Sequence, residues 1–360
     1  MGHRETISMK ISKIPGLGRF GVYIDDLDFN TITNEEWMEL GKLHLETLVT
    51  IIRDVKVDPK TYEQWICKWG TEQVLESLRL NKKYSVPSVG RLYGETEIHG
   101  EVIEPADQEW VKNLINLLCV DEVGPNTAML RVSGKKDENG RPIGMFAEGE
   151  LLWHSNESGN LEFSPGVALL GHSGVVGSAT GFVTTTDWYE EQSEAFRSEL
   201  DEMIIQHEFS PGKINPGLRK EQDDIMYRNM CPAPIEIPLV IANPIGIKGL
   251  HYSVNTINSI KGMSKADSTR VFDYINSTLF VDKFIYDHWY QQDNDICLFD
   301  NSITLHRRLG GIADRLCYRI QYDYDKLVPT GTRYYQEPYN ELYKEKLKEI
   351  KNLIKQYKYF

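Results

Sequence analysis

The residues best suited to chemistry in this 360-residue chain lie in two segments, Trp153-His154-Ser155-Asn156-Glu157 and Asn301-Ser302-Ile303-Thr304-Leu305-His306. A histidine near a carboxylate, joined by a distant second histidine, is the ligand set of a mononuclear Fe(II) site. Such a site holds metal on one face and leaves the other positions open for substrate and oxygen. The spacing departs from that pattern at one place. Side chains at i and i+2 of an extended segment share a face, so the residue beside His154 is Asn156 and not an acid. Glu157 comes one position late and points away unless the chain bulges; the turn-prone Ser158-Gly159-Asn160 that follows permits a bulge. Three alternatives stay open. A bulge delivers Glu157 to the metal, or Asn156 faces it as a weak neutral oxygen ligand or through a water, or the site has lost iron and binds a ligand without turnover.

Two arginines complete the constellation. Arg315 and Arg319 follow His306, which is expected on the loop after a strand at 296–300. A hairpin turning at Gly310-Gly311 would return them beside the histidine, with residues 315, 317, 319 and 321 on one face. An inward arginine in a β core is costly unless an anion meets it, and a planar guanidinium suits a carboxylate through paired hydrogen bonds. Two on one face call for two anionic groups. The competing reading pairs each arginine with a local acid, Asp300, Asp314 or Asp323.

The elements that must carry these residues can be read from pattern. Residues 9–14 and 21–25 read as two strands around a turn. That turn, Gly16-Leu17-Gly18-Arg19-Phe20-Gly21, matches a dinucleotide-binding fingerprint but is followed by extended chain, not by the helix the fingerprint needs. Thr33 to Glu36 has capping-box spacing and opens a helix with Trp37, Leu40 and His44 or Leu43 on one face. Residues 48–52 read as a buried strand, and Asp58-Pro59 starts a second helix. From 130 to 182 the pattern is mostly β. A helix is expected over 187–208, strands at 235–241 and 250–254, a helix over roughly 264–279 and another before Tyr290, then closing strands at 297–300 and 316–322. Residues 1–335 are expected to form one domain. Residues 336–360 are expected to form a charged amphipathic helix packed on it, with a dimer contact as the alternative. Helices around a β-rich middle suggest a sandwich or barrel with helical cover.

Composition narrows the partners. The formal net charge of -13 (Asp+Glu 53, Lys+Arg 40) argues against nucleic acid, whose phosphates need a basic face. Hydrophobic content of 41% is ample for a large core. The five cysteines are widely spaced with no Cys-x-x-Cys pair, which suits reduced thiols in a cytoplasmic protein. No run is long enough to span a bilayer, so no membrane partner is expected. A homo-oligomer stays open.

At this point the chain resembles the taurine dioxygenase (TauD/TfdA) family over roughly residues 9–325. The resemblance is carried by the Gly21-Val22-Tyr23-Ile24-Asp25-Asp26 strand, residues 49–54, Trp69-Gly70 and 149–154. It continues through Gly177-Ser178-Ala179-Thr180-Gly181-Phe182 and Phe299-Asp300-Asn301 with His306. It implies a mainly β fold with helical cover, a double-stranded β-helix (jelly roll, cupin-like) core. The activity it implies is a Fe(II)- and 2-oxoglutarate-dependent dioxygenase that uses molecular oxygen to hydroxylate an unactivated C–H bond of a small-molecule substrate. By resemblance His154 and His306 are iron ligands, and Thr180 and Arg315 hold the distal carboxylate of 2-oxoglutarate. Arg319 stands where relatives hold a substrate acid group, which points to an acidic or amino-acid-like metabolite. His99 falls near a substrate-contacting histidine. Relatives with a small residue in place of the acid can bind chloride there and halogenate. A halogenase-like variant or a non-catalytic binding member is therefore the alternative, though Asn156 is larger than those residues.

Overall fold

The computed structural model describes residues 9–71, 97–98, 101–102, 129–136, 138, 143–144, 151–156, 158, 163–207, 235–310 and 313–328. The expected C-terminal helix, like His99 and Glu157, lies outside the described residues.

The chain opens with β1 (Lys10–Lys13) and β2 (Val22–Asp25), an antiparallel pair. The glycines between them serve a turn, with φ of 91°, 58° and 82° at Gly16, Gly18 and Gly21. Helix α1 (Asn34–Thr47) begins on the expected capping box, in which the Thr33 side chain accepts from Glu36 N and the Glu36 carboxylate accepts from Thr33 N. It ends on Leu48, in left-handed conformation, and runs directly into β3 (Val49–Ile52), which is buried throughout. Helix α2 (Pro59–Ile66) is capped by Asp58 and has proline in its first turn. Two short strands, β4 (Glu97–Ile98) and β5 (Glu101–Val102), form a separate ladder. The strands that matter for the site follow: β6 (Leu130–Ser133), β7 (Leu151–His154), β8 (Gly166–Ser173) and β9 (Ala179–Thr184).

The helix expected over 187–208 is instead three elements: α3 (Thr185–Glu191), α4 (Glu194–Glu202) and strand β10 (Ile204–His207). Ser193 starts a new helix by accepting from Phe196 N. The β-branched Ile204 and Ile205 pair in a sheet with β11 (Ile235–Pro238). The single strand expected at 235–241 breaks at Leu239, and β12 (Val240–Ala242) pairs with β13 (Lys248–Leu250) in a different ladder. Residues 251–254, expected as strand, lie beyond that ladder. Strand β14 (Ile257–Ile260) joins β10, and α5 (Lys265–Leu279) is capped by Ser264. Before Tyr290 the expected helix is only a 3-10 turn at Asp282–Phe284; β15 (Ile285–Trp289) takes the rest, recruited along β9. Strands β16 (Ile296–Asp300), β17 (Thr304–Leu309) and β18 (Leu316–Tyr322) close the fold.

Two sheets form the body. One has the order β1-β2-β3-β16-β8-β18-β6 and the other β15-β9-β17-β7. This is a jelly-roll, double-stranded β-helix core with helical cover. Period-2 alternation sorts the side chains into three layers. Leu298, Tyr318, Ile320 and Tyr322 face outward from the larger sheet onto Trp37, Tyr62 and Trp69 of the α1 and α2 region. Trp153, Val183 and Leu305 face outward from the smaller sheet toward Trp188, Phe272 and Ile275 of α3 and α5. Between the sheets lie Val49, Ile51, Val167, Phe182, Cys297 and Phe299. Truncating an anchor such as Trp37, fully buried and stacked on Trp69 at 4.5 Å, costs about 3–5 kcal/mol.

Candidate active site

Strands β7 and β17 lie side by side with His154 directly opposite His306. Their ring centroids are 4.1 Å apart and the rings are inclined by 44°. His306 is thus on a strand, not on the loop after one. The pairing contains a bulge: His306 meets His154 but Arg308 meets Leu151, so β7 spends one residue more than β17. That irregularity falls upstream of His154, and it lets Leu151 and His154 both face inward while Trp153 faces out.

Burial pushes the pKa of His154 down to about 4, with the Arg319 and Arg308 guanidiniums adding to the effect. Burial likewise holds His306 well below the usual histidine range. Both rings are therefore neutral at pH 7, the form that ligates metal. His154 Nδ1 lies 2.7 Å from the Leu152 carbonyl, which can only accept. The ring hydrogen is therefore on Nδ1, and the Nε2 lone pair is left for a ligand.

Asn156 is buried and lines the pocket with His306. Its backbone is held at both polar atoms by one side chain. Asn156 N donates to Asn301 Oδ1 at 2.6 Å, and Asn301 Nδ2 donates to the Asn156 carbonyl at 3.0 Å and to the Ser164 carbonyl at 2.8 Å. Asn301 is fully buried, so it acts as a short piece of sheet edge inserted beside the site. Among the described residues, His306 Nδ1 and Asn156 Nδ2 are buried at the site without a hydrogen-bond partner. Unsatisfied buried polar atoms cost about 1–3 kcal/mol each, and their meeting at one pocket suits a place that a further group fills. Among the described residues no three His, Cys, Asp or Glu side chains gather as a metal cluster. The donors among the described residues, two neutral imidazoles and an amide, fit a divalent metal with the strong donors one short.

The rest of the pocket comes from three other strands. Thr180 projects inward from β9, and its Oγ1 is 3.0 Å from the Tyr290 hydroxyl. Arg315 and Arg319 face in from the β18 segment, with Val167, Leu169 and Phe299 supplying an apolar wall. The space, counting its open mouth, is about 450 Å³. The arginines do not return in a hairpin beside His306. Strand β17 pairs with β7 and β9, whereas β18 pairs with β6 and β8 in the opposite sheet. Between β17 and β18 the chain passes from one sheet to the other, with Gly310 at φ +71°, so the guanidiniums face the histidines from the far wall.

Sequence reasoning missed Arg308 and the Asn301 clamp. Arg308 is buried and lines the same pocket, opposite Thr180 on β9. Its signal was available, since two residues beyond an inward His306 on a strand is again inward. Arg307, between them, faces out, paired with Asp287 at 2.7 Å and lying 4.3 Å over the Trp153 ring. His251 and His172 lie apart from the pocket. His251 Nδ1 is held by the Ser302 carbonyl at 3.0 Å, and His172 stacks on Tyr318.

The fold is a cupin-like jelly roll, with two facing imidazoles and an arginine-lined far wall at its pocket. The chain belongs to the taurine catabolism dioxygenase TauD, TfdA family, whose model matches residues 11–320. Members are 2-oxoglutarate-dependent dioxygenases, and this chain is an oxidoreductase of that class with Fe(II) and 2-oxoglutarate as its cofactors. No curated protein matches it. Among solved structures it is similar to AAD-2 in complex with Mn(II) and N-oxalylglycine, at 16% identity and TM-score 0.60, over 88% of this chain and 97% of that one. It is also similar to a taurine dioxygenase from Burkholderia xenovorans (16%, TM-score 0.59, 88% and 89%). A third is a putative alpha-ketoglutarate dependent 2,4-D dioxygenase from the same organism (16%, TM-score 0.56, 88% and 97%). At this identity the likeness shows the fold. No helix among the described residues is long and apolar enough to cross a membrane.

Proposed function

We propose that this chain hydroxylates an unactivated C–H bond of a small acidic or amino-acid-like metabolite, with His154 and His306 as iron ligands and Asn156 in the position of the family's acid. The observation that carries this reading is the direct pairing of His154 with His306 beside an Asn156 whose backbone is pinned by Asn301. The bound iron and 2-oxoglutarate supply the oxygen activation. The chain's own part is geometry. Neutral imidazoles offer lone pairs, and the bulge in β7 aims one of them. Asn156 offers an amide oxygen, a weaker donor than a carboxylate, so iron affinity is lower than a full triad would give. Thr180 and Arg315 hold the distal carboxylate of 2-oxoglutarate, for which a planar guanidinium is geometrically suited. Arg319 takes an acid group on the substrate. Phe299, Val167 and Leu169 keep water from the wall behind the reacting groups.

Anaerobic titration with Fe(II) and then 2-oxoglutarate tests the ligand assignment. A metal-to-ligand charge-transfer band is expected, and a protein that never develops one does not hold the pair as described. Succinate release on admitting oxygen measures turnover. Hydroxylated product supports the reading, while chlorinated product in the presence of chloride assigns the third metal position to a halide instead of Asn156.

A further inference from the structure

The proposed contact between Thr180 and the distal carboxylate raises a question of hydrogen supply. A threonine hydroxyl carries one hydrogen and accepts through its lone pairs. To donate into the pocket it must not spend that hydrogen elsewhere. In this fold its neighbour is Tyr290, which follows β15 immediately and is fixed there by its own N–H donating to the Ser178 carbonyl at 3.0 Å. The Tyr290 hydroxyl sits 3.0 Å from Thr180 Oγ1 and 3.4 Å from Cys297 Sγ. All three side chains are buried, at 4% exposure for Thr180, 1% for Tyr290 and 0% for Cys297.

The geometry points to Tyr290 as a positioning residue for 2-oxoglutarate: its phenol hydrogen goes to Thr180 Oγ1, which commits the Thr180 hydrogen to the distal carboxylate. The inference rests on the reading of Thr180 given above and adds a residue that never touches the ligand. Tyr290 has one hydrogen and two possible acceptors. Sulfur is the weak one, and its distance is the longer. Cys297 is better used as the donor to the phenol oxygen. The order is then Cys297 S–H to Tyr290, Tyr290 O–H to Thr180, and Thr180 O–H to carboxylate. Each link polarises the next. Burial pushes both the phenol and the thiol pKa upward, so both keep their hydrogens at neutral pH. Without the carboxylate the same three groups can run in reverse, Thr180 to Tyr290 to Cys297. Binding is what sets the direction.

The test compares two ligands on the Mn(II)-loaded protein by calorimetry: 2-oxoglutarate, and 2-oxobutyrate, which lacks the distal carboxylate. Tyr290→Phe removes one oxygen and is expected to weaken 2-oxoglutarate binding about threefold, since the Thr180–Tyr290 bond exists with and without ligand and only its polarising share is lost. It should leave 2-oxobutyrate unchanged. Thr180→Val should weaken 2-oxoglutarate at least as much, and the double variant should match Thr180→Val alone. If Thr180→Val weakens 2-oxoglutarate while Tyr290→Phe does not, the positioning role is overturned and the Thr180 contact stands. Equal losses for both ligands in Tyr290→Phe reduce Tyr290 to a packing residue. No effect of Thr180→Val removes the contact itself, and the inference with it. Should Tyr290→Phe not fold, Cys297→Ala reads the far end of the chain. A loss of about twofold confined to 2-oxoglutarate supports the relay, and one shared with 2-oxobutyrate, or none, overturns it.

Discussion

His44, buried, and the pair of half-buried His154 and buried His306 are histidines of one molecule with opposite surroundings. His44 is fully enclosed between α1 and the larger sheet, and both its nitrogens are satisfied. Nδ1 lies 3.1 Å from Thr50 Oγ1, Nε2 lies 3.2 Å from the Tyr324 hydroxyl, and the ring stacks on Trp69. His154 and His306 face each other instead, with His306 Nδ1 buried and, among the described residues, unpartnered, and with arginines on the opposite wall. A pKa depressed chiefly by desolvation is common to all three. What separates them is hydrogen-bond completeness together with a charged cavity. His207 and His251 show why both are needed. Each is anchored through Nδ1 and, among the described residues, leaves Nε2 buried without a partner, yet no arginine charge acts on either ring, whereas Arg319 acts on both His154 and His306.

The largest expected effect breaks the comparison if it fails. His306→Ala should abolish Mn(II)-dependent binding of 2-oxoglutarate, a loss of more than about a hundredfold, since removing even an outer partner of a metal ligand costs about 10–100-fold. His44→Gln should leave that affinity unchanged. Comparable losses in both variants, measured by calorimetry on folded protein, would erase the distinction between a structural and a ligating histidine here. Next comes Arg315→Leu. Truncating one partner of a buried charge pair costs about 2–5 kcal/mol, so 2-oxoglutarate should bind at least about thirtyfold more weakly. 2-Oxobutyrate should be spared. Equal loss for both ligands would move Arg315 from the distal carboxylate to a general electrostatic role.

Much of this was legible in the chain, and the parts that were not share a cause. Local signals held: the Thr33 capping box, the proline after Asp58 and the glycine turn after β1 each specify structure within a few residues. The alternation along 315–321 put both arginines on one face before any fold was known. Reading Gly310-Gly311 as a hairpin failed because a tight turn looks the same whether its strands pair or separate into opposite sheets, and that choice belongs to the sandwich. The helix expected over 187–208 failed at Ser193, where a cap in mid-pattern starts a second helix and isoleucines beyond it find sheet partners some thirty residues away. The clamp role of Asn301, although the residue sits in the motif before His306, and the placement of Tyr290 carried no local signal. Their partners, Asn156 and Thr180, stand 145 and 110 residues away. Arg308 is different, because the period that placed His306 inward placed it inward too.

A gain of function sharpens the site half of the comparison. Asn156→Asp restores the acid at the position the Asn301 clamp already holds in place. Replacing a neutral amide by a carboxylate should tighten Fe(II) or Mn(II) binding by about tenfold, given the preference of such metals for charged oxygen donors. Glu157→Gln should change metal affinity little. The reverse outcome, an inert Asn156→Asp and a damaging Glu157→Gln, would make Glu157 the third ligand.

The smallest effect concerns His44 and is read as a slope. Burial lowers its pKa to about 3 in the folded protein, against 6.5 for the ordinary side chain. Between those values the unfolded chain binds a proton that the folded chain refuses, so stability falls as pH drops from about 6.5 toward 3 and is fully present above that window. One such group contributes at most about 1.4 kcal/mol per pH unit to the slope. His44→Gln keeps a polar side chain at Thr50 and Tyr324 but has nothing to titrate. Its unfolding free energy, measured by denaturant titration at pH 7 and pH 5, should differ less between the two than in the unaltered protein. The site histidines titrate over the same range, with His154 at about 4, so the unaltered slope contains more than His44. A bound divalent metal favours their neutral form and adds to that slope in acid, whereas His44 is indifferent to metal. If removing metal changed the contribution lost in His44→Gln, the two environments would be coupled and the comparison too simple.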